Sequence, residues 1–111
     1  MTKYIPERGD IIWVDLDPVK GHEQGGRRPA FVASSRSYNG KSGLMLICPV
    51  TSQIKNYPFE ITFVSKRVKG TILVDQIRSI DWGNRNIDLA GRVTSGIIEA
   101  VRGRLIRLIE K

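Results

Sequence analysis

The period of the apolar residues changes once along this 111-residue chain, and that change constrains the fold more than any other sequence feature. Between residues 10 and 74 the apolar residues come in short runs, some of which alternate with polar residues as in a β-strand. From residue 97 onward they recur at spacings of three and four, as on one face of a helix. Several short strands followed by one helix favour a small, mostly antiparallel β-barrel with a C-terminal amphipathic helix laid across it.

Five segments have the composition of strands. They are residues 10–16 (DIIWVDL), 29–35 (PAFVASS), 44–51 (LMLICPVT), 59–63 (FEITF) and 71–74 (TILV). Asn39-Gly40 lies between the second and third segments and predicts a tight turn there. The helix is expected to carry its apolar residues between positions 97 and 109 and to follow an N-cap at Thr94 or Ser95, and its apolar face could pack on the core or against a partner.

Charge and cysteine content narrow the functional classes. The chain has 18 Lys plus Arg against 11 Asp plus Glu, which gives a net charge of +7 and a sequence pI near 10.0. The excess is spread over the chain, so it belongs to the folded body; it suits a polyanion such as nucleic acid, and plain solubility is the alternative interpretation. The single cysteine, Cys48, excludes an intrachain disulfide and is typical of a small core residue.

The length predicts one domain over residues 1–111. The N-terminus lacks an apolar leader, and the longest strongly apolar run, residues 44–50, is far below the roughly 20 residues that a membrane span needs. We therefore expect a cytoplasmic protein.

The connection between the first two predicted strands carries most of the chemistry-bearing side chains. It reads DPVKGHEQGGRRP over residues 17–29, and it contains His22, Glu23, Arg27 and Arg28 among glycines. A cation pair, a carboxylate and an imidazole on one long loop suit a phosphate-handling site, whereas the alternative is an ordinary solvated loop. One histidine excludes a mechanism with two histidines as acid and base, and the carboxylates lack the spacing of metal ligands, so no metal and no cofactor is expected.

The order of the motifs resembles that of one protein family. Residues 8–18 (RGDIIWVDLDP), 21–26 (GHEQGG), 28–30 (RPA), 48–51 (CPVT) and 75–81 (DQIRSID) closely resemble the MazF/PemK-family toxins of bacterial type II toxin–antitoxin modules. The resemblance implies an SH3-like antiparallel barrel that assembles as a homodimer. It also implies metal-independent, sequence-specific cleavage of single-stranded RNA, with ACA-containing sites as the expected target, and inhibition by an acidic antitoxin.

By the same resemblance the attacking group is the 2′-hydroxyl of the RNA, so that the products carry a 2′,3′-cyclic phosphate and a 5′-hydroxyl. Arg28 is the predicted stabiliser of charge on the phosphorane, since a guanidinium binds two phosphate oxygens. Glu23 is the predicted base with His22 as the alternative, and Thr51 would donate a hydroxyl to the scissile phosphate. The predicted RNA contacts are Gln24, Arg27, Ser52, Asp75, Gln76 and Arg78.

Two other functions compete with this one. One is a non-enzymatic toxin of similar barrel fold that binds DNA gyrase, although such a protein would not need the His-Glu and Arg-Arg loop. The other is a basic nucleic-acid-binding barrel without catalysis. Loss of RNA cleavage with retained RNA binding in Arg28→Ala would exclude the binding-only function.

Overall fold

The computed structural model describes residues 4–17, 21 and 26–110. Its strands are β1 (Asp10–Asp15), β2 (Arg27–Val32), β3 (Leu44–Thr51), β4 (Glu60–Val64), β5 (Lys69–Leu73), β6 (Arg78–Asp81) and β7 (Asp88–Arg92). The helices are α1 (Arg36–Ser42) and α2 (Ser95–Glu110), and short 3₁₀ turns occupy Val74–Gln76 and Trp82–Asn84. No helix in these ranges is long and apolar enough to cross a membrane.

All seven strands of this part of the chain join one antiparallel sheet: six follow the order β4-β5-β3-β2-β1-β7, and β6 pairs with β3 beside that path. β3 is the central strand: β2 pairs along one edge, while β6 and β5 follow one another along the other edge. The sheet curls until the β4–β5 turn approaches β7. The two come close at Gly91 of β7, where an added Cβ would lie 3.4 Å from the hydroxyl oxygen of Ser65 in the turn. The predicted barrel-like fold with a C-terminal helix is confirmed, in the form of a half-barrel.

The curled sheet buries apolar side chains on both faces. Ile11, Phe31 and Cys48 belong to a cluster covered by α2, whereas Ile12, Val14 and Ile47 belong to a cluster covered by Trp82. β1 contributes to both clusters because successive residues of a strand point to opposite faces. This double burial explains why the central strands read as short apolar runs with little polar alternation.

The prediction of a tight turn at Asn39-Gly40 is wrong. These residues lie within α1, which Ser35 caps by accepting a hydrogen bond from the Tyr38 amide (3.2 Å). Asn39 is fully buried; its side-chain amide donates to the carbonyls of Pro6 (2.8 Å) and Ser34 (3.2 Å). These tertiary hydrogen bonds and the Ser35 cap outweigh the local turn preference of the dipeptide.

The amphipathic helix is confirmed: α2 spans Ser95–Glu110 and starts directly after Thr94. Of the two proposed N-caps, Thr94 takes the role: its carbonyl accepts from the Ile98 amide (3.1 Å) and its hydroxyl from the Ile97 amide (3.4 Å). Val101 is the fully buried residue of the helix, and the exposed arginines lie on other faces.

Candidate functional site

A cavity of about 350 Å³ opens where β3 ends and the chain turns toward β4. One wall comes from β5 and the 3₁₀ turn that follows it, and the other comes from the β3–β4 connection. Its lining is mostly polar and includes cationic, anionic and amide side chains. The lining residues are Thr51, Gln53, Lys55, Tyr57, Glu60, Leu73, Asp75 and Gln76.

Thr51 is the last residue of β3 and pairs with Thr71 of β5. Its side chain is partly exposed, and its hydroxyl oxygen accepts a hydrogen bond from the Gln53 amide (3.2 Å). That bond uses a lone pair and leaves the O–H proton available for a ligand oxygen. The predicted hydroxyl donor therefore lies in the cavity wall.

Arg28 lies on β2 directly across from Val14 of β1. The β2–β3 register pairs Ala30 with Pro49, and continuing that register by two residues on each strand sets Arg28 opposite Thr51. Directly opposite residues of an antiparallel pair share a face of the sheet. The half-buried guanidinium and the hydroxyl, predicted from segments 23 residues apart, therefore belong to one face.

Asp75 and Gln76, the predicted groove residues, occupy the 3₁₀ turn after β5 and line the same cavity as Thr51. The hydroxyl of Tyr57 hydrogen-bonds to the Asp75 carboxylate, and this bond together with the carboxylate charge raises the pKa of Tyr57. The bond spans the cavity, from the β3–β4 connection to the 3₁₀ turn. Tyr57 is half exposed, so the ring face is also accessible for stacking against a base.

The β3–β4 connection is held in shape by Glu60 and by α2. The Glu60 carboxylate accepts hydrogen bonds from the backbone amides of Lys55 (3.1 Å) and Tyr57 (3.4 Å). Arg104 of α2 donates to the carbonyl of Pro58 (3.1 Å). Lys55 is exposed at the cavity, where its ammonium is available to a phosphate.

The structure separates some of the predicted RNA contacts from this cavity. Arg27 alternates with Arg28 along β2, and its guanidinium bonds to the carbonyl of Asn86 (2.5 Å) and the carboxylate of Asp88 (2.6 Å). The Arg78 guanidinium donates to the carbonyl of Leu16 (3.1 Å). Ser52 is exposed next to Thr51 but is not among the lining residues. His22, Glu23 and Gln24 lie outside the described residues.

Sequence reasoning missed five of the eight residues that line the cavity. Gln53, Lys55, Tyr57, Glu60 and Leu73 were not predicted as site residues, although they contribute most of its wall. The available signal was the segment YPFE at residues 57–60, whose glutamate organises the loop amides. Within residues 4–17, 21 and 26–110, no three His, Cys, Asp or Glu side chains are grouped to hold a metal ion.

The cavity thus combines a hydroxyl, an ammonium, amides and a stacking ring, with a guanidinium on the neighbouring strand. These groups suit recognition of a phosphodiester with an unstacked base beside it.

Comparison with known proteins relates this chain to one family and to individual members of that family. Residues 7–109 match the family described as PemK-like, MazF-like toxin of type II toxin-antitoxin system. The chain is 41% identical over 109 residues to the Endoribonuclease toxin MazF of Escherichia coli (strain K12), covering 98% of each chain. It is 34% identical over 108 residues to the Endoribonuclease PemK of Escherichia coli, covering 93% of this chain and 81% of PemK.

The fold agrees as closely as the sequence. Crystalline MazF from Deinococcus radiodurans superposes with a TM-score of 0.92 at 44% identity, covering 98% of this chain and 100% of that one. A crystal structure of MazE-MazF (Form-II) from the same organism gives 0.86 at 44% identity, covering 97% and 98%. Because sequence and fold agree over nearly the whole chain, this protein belongs to the PemK-like, MazF-like toxin family of type II toxin–antitoxin systems.

Proposed function

We propose that this protein is the toxin of a type II toxin–antitoxin system and acts as an endoribonuclease on single-stranded RNA. The observation that carries the proposal is the cavity lined by Thr51, Lys55 and Gln76 at the end of β3. The β2–β3 register, continued beyond its last pair, sets Arg28 on the same face as Thr51. The names of the relatives in Escherichia coli, each an endoribonuclease, support the reaction class. Cleavage of messenger RNA in the cytoplasm by the single domain of residues 1–111 would inhibit translation and growth.

The proposed reaction is an internal transfer in the RNA. The 2′-oxygen forms a bond to phosphorus while its proton passes to a base, and the bond from phosphorus to the 5′-oxygen breaks as that oxygen takes a proton. Glu23 is the proposed base, with His22 as the alternative. The products are a 2′,3′-cyclic phosphate and a 5′-hydroxyl, and the balance needs neither a metal nor a cofactor.

Arg28 and Thr51 stabilise the charge that develops on the phosphorane oxygens. A guanidinium is cationic at any physiological pH, so it serves as an electrostatic stabiliser and not as the base. The Thr51 hydroxyl adds one donor, and Asp75 with Gln76 would hydrogen-bond a base next to the scissile bond.

The proposed partners follow from charge and from the relatives. The MazE-MazF crystal structures of Deinococcus radiodurans support an antitoxin partner, and an acidic antitoxin suits a body with a net charge of +7. An acidic segment laid over the cavity would compete with RNA for Lys55 and Arg28. We also propose that the toxin functions as a homodimer.

The test is cleavage in EDTA of matched RNA and all-2′-deoxy oligonucleotides that carry many short sequence contexts. Cleavage of the RNA alone, with cyclic phosphate and 5′-hydroxyl ends in mass analysis, is expected. Arg28→Ala should lose about a hundredfold or more in kcat, by analogy with removal of one oxyanion donor, while RNA affinity changes little. Arg67→Ala, which removes an exposed charge on the β4–β5 turn, is the matched control and should cleave normally.

Two outcomes would contradict the proposal. Intact RNA with the folded, antitoxin-free protein would favour a gyrase-binding toxin or a barrel that only binds nucleic acid. Cleavage of the all-2′-deoxy oligonucleotide would exclude attack by a 2′-hydroxyl.

A further inference from the structure

Two arginines from the C-terminal half of the chain reach the first end of the β1–β2 connection. The Arg85 guanidinium donates through one nitrogen to the carbonyls of Asp15 (2.8 Å) and Asp17 (3.3 Å). The Arg78 guanidinium donates to the carbonyl of Leu16 between them (3.1 Å). Three consecutive carbonyls at the end of β1 are therefore held by side chains that lie 62 to 70 residues further along the chain.

The other end of the connection is fixed to the first. The Leu16 amide donates to the carbonyl of Gly26 (2.9 Å), and the Gly26 amide donates to the Asp17 carboxylate (2.9 Å). Gly26 has a φ of +76°, which a residue with a side chain rarely adopts. The β1–β2 ladder thus continues past the strands, and we call residues 15–17 and 26–28 the loop stem.

The surroundings of Arg85 argue against a phosphate contact for it. Arg85 lies in a depression of about 550 Å³ next to the loop stem. The carboxylates of Asp15, Asp17 and Asp81 line the same depression, together with Arg27, whose guanidinium is paired with Asp88. Three carboxylates repel an RNA phosphate and leave Arg85 directed at the backbone of the stem. Arg78, predicted as an RNA contact, is half-buried and directs its guanidinium to the carbonyl of Leu16.

These bonds contribute little to overall stability, because carbonyls at the exposed end of a strand would otherwise bind water. Their larger effect is geometric. The stem includes Arg28, and it sets the points from which residues 18–25, with the proposed base, leave and rejoin the sheet. A displacement of about 1 Å at a reacting group can cost roughly a hundredfold in rate.

We propose that Arg85 and Arg78 are positioning residues that hold the loop stem in the geometry required for cleavage. This role rests on the proposed endoribonuclease function. Neither arginine touches the reacting atoms: each acts through the backbone of residues 15–17, which is paired with the strand that carries Arg28.

The test compares Arg85→Ala and Arg78→Ala with Arg67→Ala, an equal loss of charge at an exposed turn position. Cleavage kinetics are measured on RNA of the preferred sequence, and amide hydrogen exchange is measured at Leu16 and Gly26. In the two stem variants we expect kcat to fall about tenfold to a hundredfold with KM within twofold. Exchange at both amides should accelerate, and Arg67→Ala should leave kcat and exchange unchanged.

A rise in KM with a shallower salt dependence and unchanged exchange would show direct phosphate binding and overturn the proposal. Faster exchange with unchanged kcat would also overturn it. Urea midpoints control for loss of folding; if the alanine variants unfold, Arg85→Lys, which keeps one donor, should give an intermediate kcat. A wild-type protein that leaves RNA intact would contradict the proposed endoribonuclease function, and the role of the arginines in cleavage with it. Faster amide exchange in Arg85→Ala and Arg78→Ala would then still show that the two arginines hold the backbone of the loop stem.

Discussion

At the scale of the residue, Cys48 shows how burial sets reactivity. It is fully buried between β2 and the 3₁₀ turn after β5, and burial, with a smaller effect of the Asp75 charge, raises the pKa of its thiol to about 12. The thiol is therefore neutral at physiological pH and unavailable as a nucleophile, as predicted from its apolar neighbours.

This shift makes the stability of the fold depend on alkaline pH. The Cys48 thiol ionises near pH 9 in the unfolded chain and near pH 12 in the folded protein. The contribution of the neutral thiol to the free energy of unfolding is therefore complete below pH 9 and is lost as the pH rises toward 12. Urea unfolding of the wild type and Cys48→Ala at pH 8 and pH 10.5 should show the difference in stability shrinking at the higher pH. A constant difference would contradict a raised thiol pKa.

A second residue-scale effect concerns Asp10, a carboxylate only 4% exposed. It accepts hydrogen bonds from the Tyr4 hydroxyl (2.5 Å) and the Glu7 amide (3.0 Å), and it pairs with Arg92 (2.5 Å). Burial, followed by the bond to Asp10, raises the pKa of Tyr4 well above its ordinary value. The N-terminal segment, β1 and β7 are joined through this one carboxylate.

Arg92→Met should destabilise the protein by about 2 kcal/mol, which is less than a fully buried pair would cost because Arg92 is half exposed. Glu7→Gln, which removes only the exposed partner of the same arginine (3.1 Å), should cost less than about 0.5 kcal/mol. Urea unfolding at pH 7 measures both. Equal losses of stability in the two variants would contradict the inference that the burial of Asp10 makes its ion pair with Arg92 more stabilising than the exposed pair with Glu7.

At the scale of the element, the contrast between two glycines tests the packing of α2 and β5. Gly103 lies in α2 with nothing within 4 Å of a Cβ, whereas a Cβ at Gly70 of β5 would lie 2.5 Å from Val50 and 3.1 Å from the Thr51 carbonyl. Replacing Gly103 with alanine therefore changes helix propensity alone, whereas the methyl group of an alanine at Gly70 would overlap with β3.

Gly103→Ala should stabilise the protein by about 1 kcal/mol. Gly70→Ala should destabilise it by about 1–3 kcal/mol and also slow cleavage, since the overlap displaces the end of β3 that carries Thr51. Chemical denaturation gives the first effect, and denaturation with RNA cleavage gives the second. Destabilisation by Gly103→Ala would show that this face of α2 is covered.

At the scale of the whole molecule, the net charge of +7 should make RNA binding strongly dependent on salt. If Lys55 and two or three further cations neutralise three to four phosphates, the logarithm of affinity should fall with the logarithm of salt at a slope of about −2 to −3. Fluorescence anisotropy of an all-2′-deoxy oligonucleotide between 50 and 200 mM salt measures this slope, and Lys55→Ala should reduce its magnitude by about 0.7. A slope near zero would contradict phosphate binding by the basic body.

The residue patterns anticipated most of the elements of the fold but not all of them. β3 has the predicted bounds, β1 starts as predicted and ends one residue earlier, and α2 starts directly after the predicted N-cap Thr94, because alternation and helical spacing report directly which side chains are buried. β6 and β7 were not predicted: their sequences, RSID and DLAGR, bury one residue each and are strands because β3 and β1 offer open edges to pair with. The error at Asn39-Gly40 has a similar origin, since the hydrogen bonds that bury Asn39 come from segments distant in the chain.

The sequence by itself determined the fold class and the family, and it predicted Arg28, Thr51, Asp75 and Gln76 as site residues, because these depend on local period and on ordered motifs. Only the tertiary structure decided which of the neighbouring arginines shares a face with Thr51, and that Lys55 and Tyr57 complete the cavity wall. It also decided that Arg78 and Arg85 hold the loop stem. The physical reason is that strand register and long-range hydrogen bonds join residues up to 70 positions apart, and no local pattern encodes those distances.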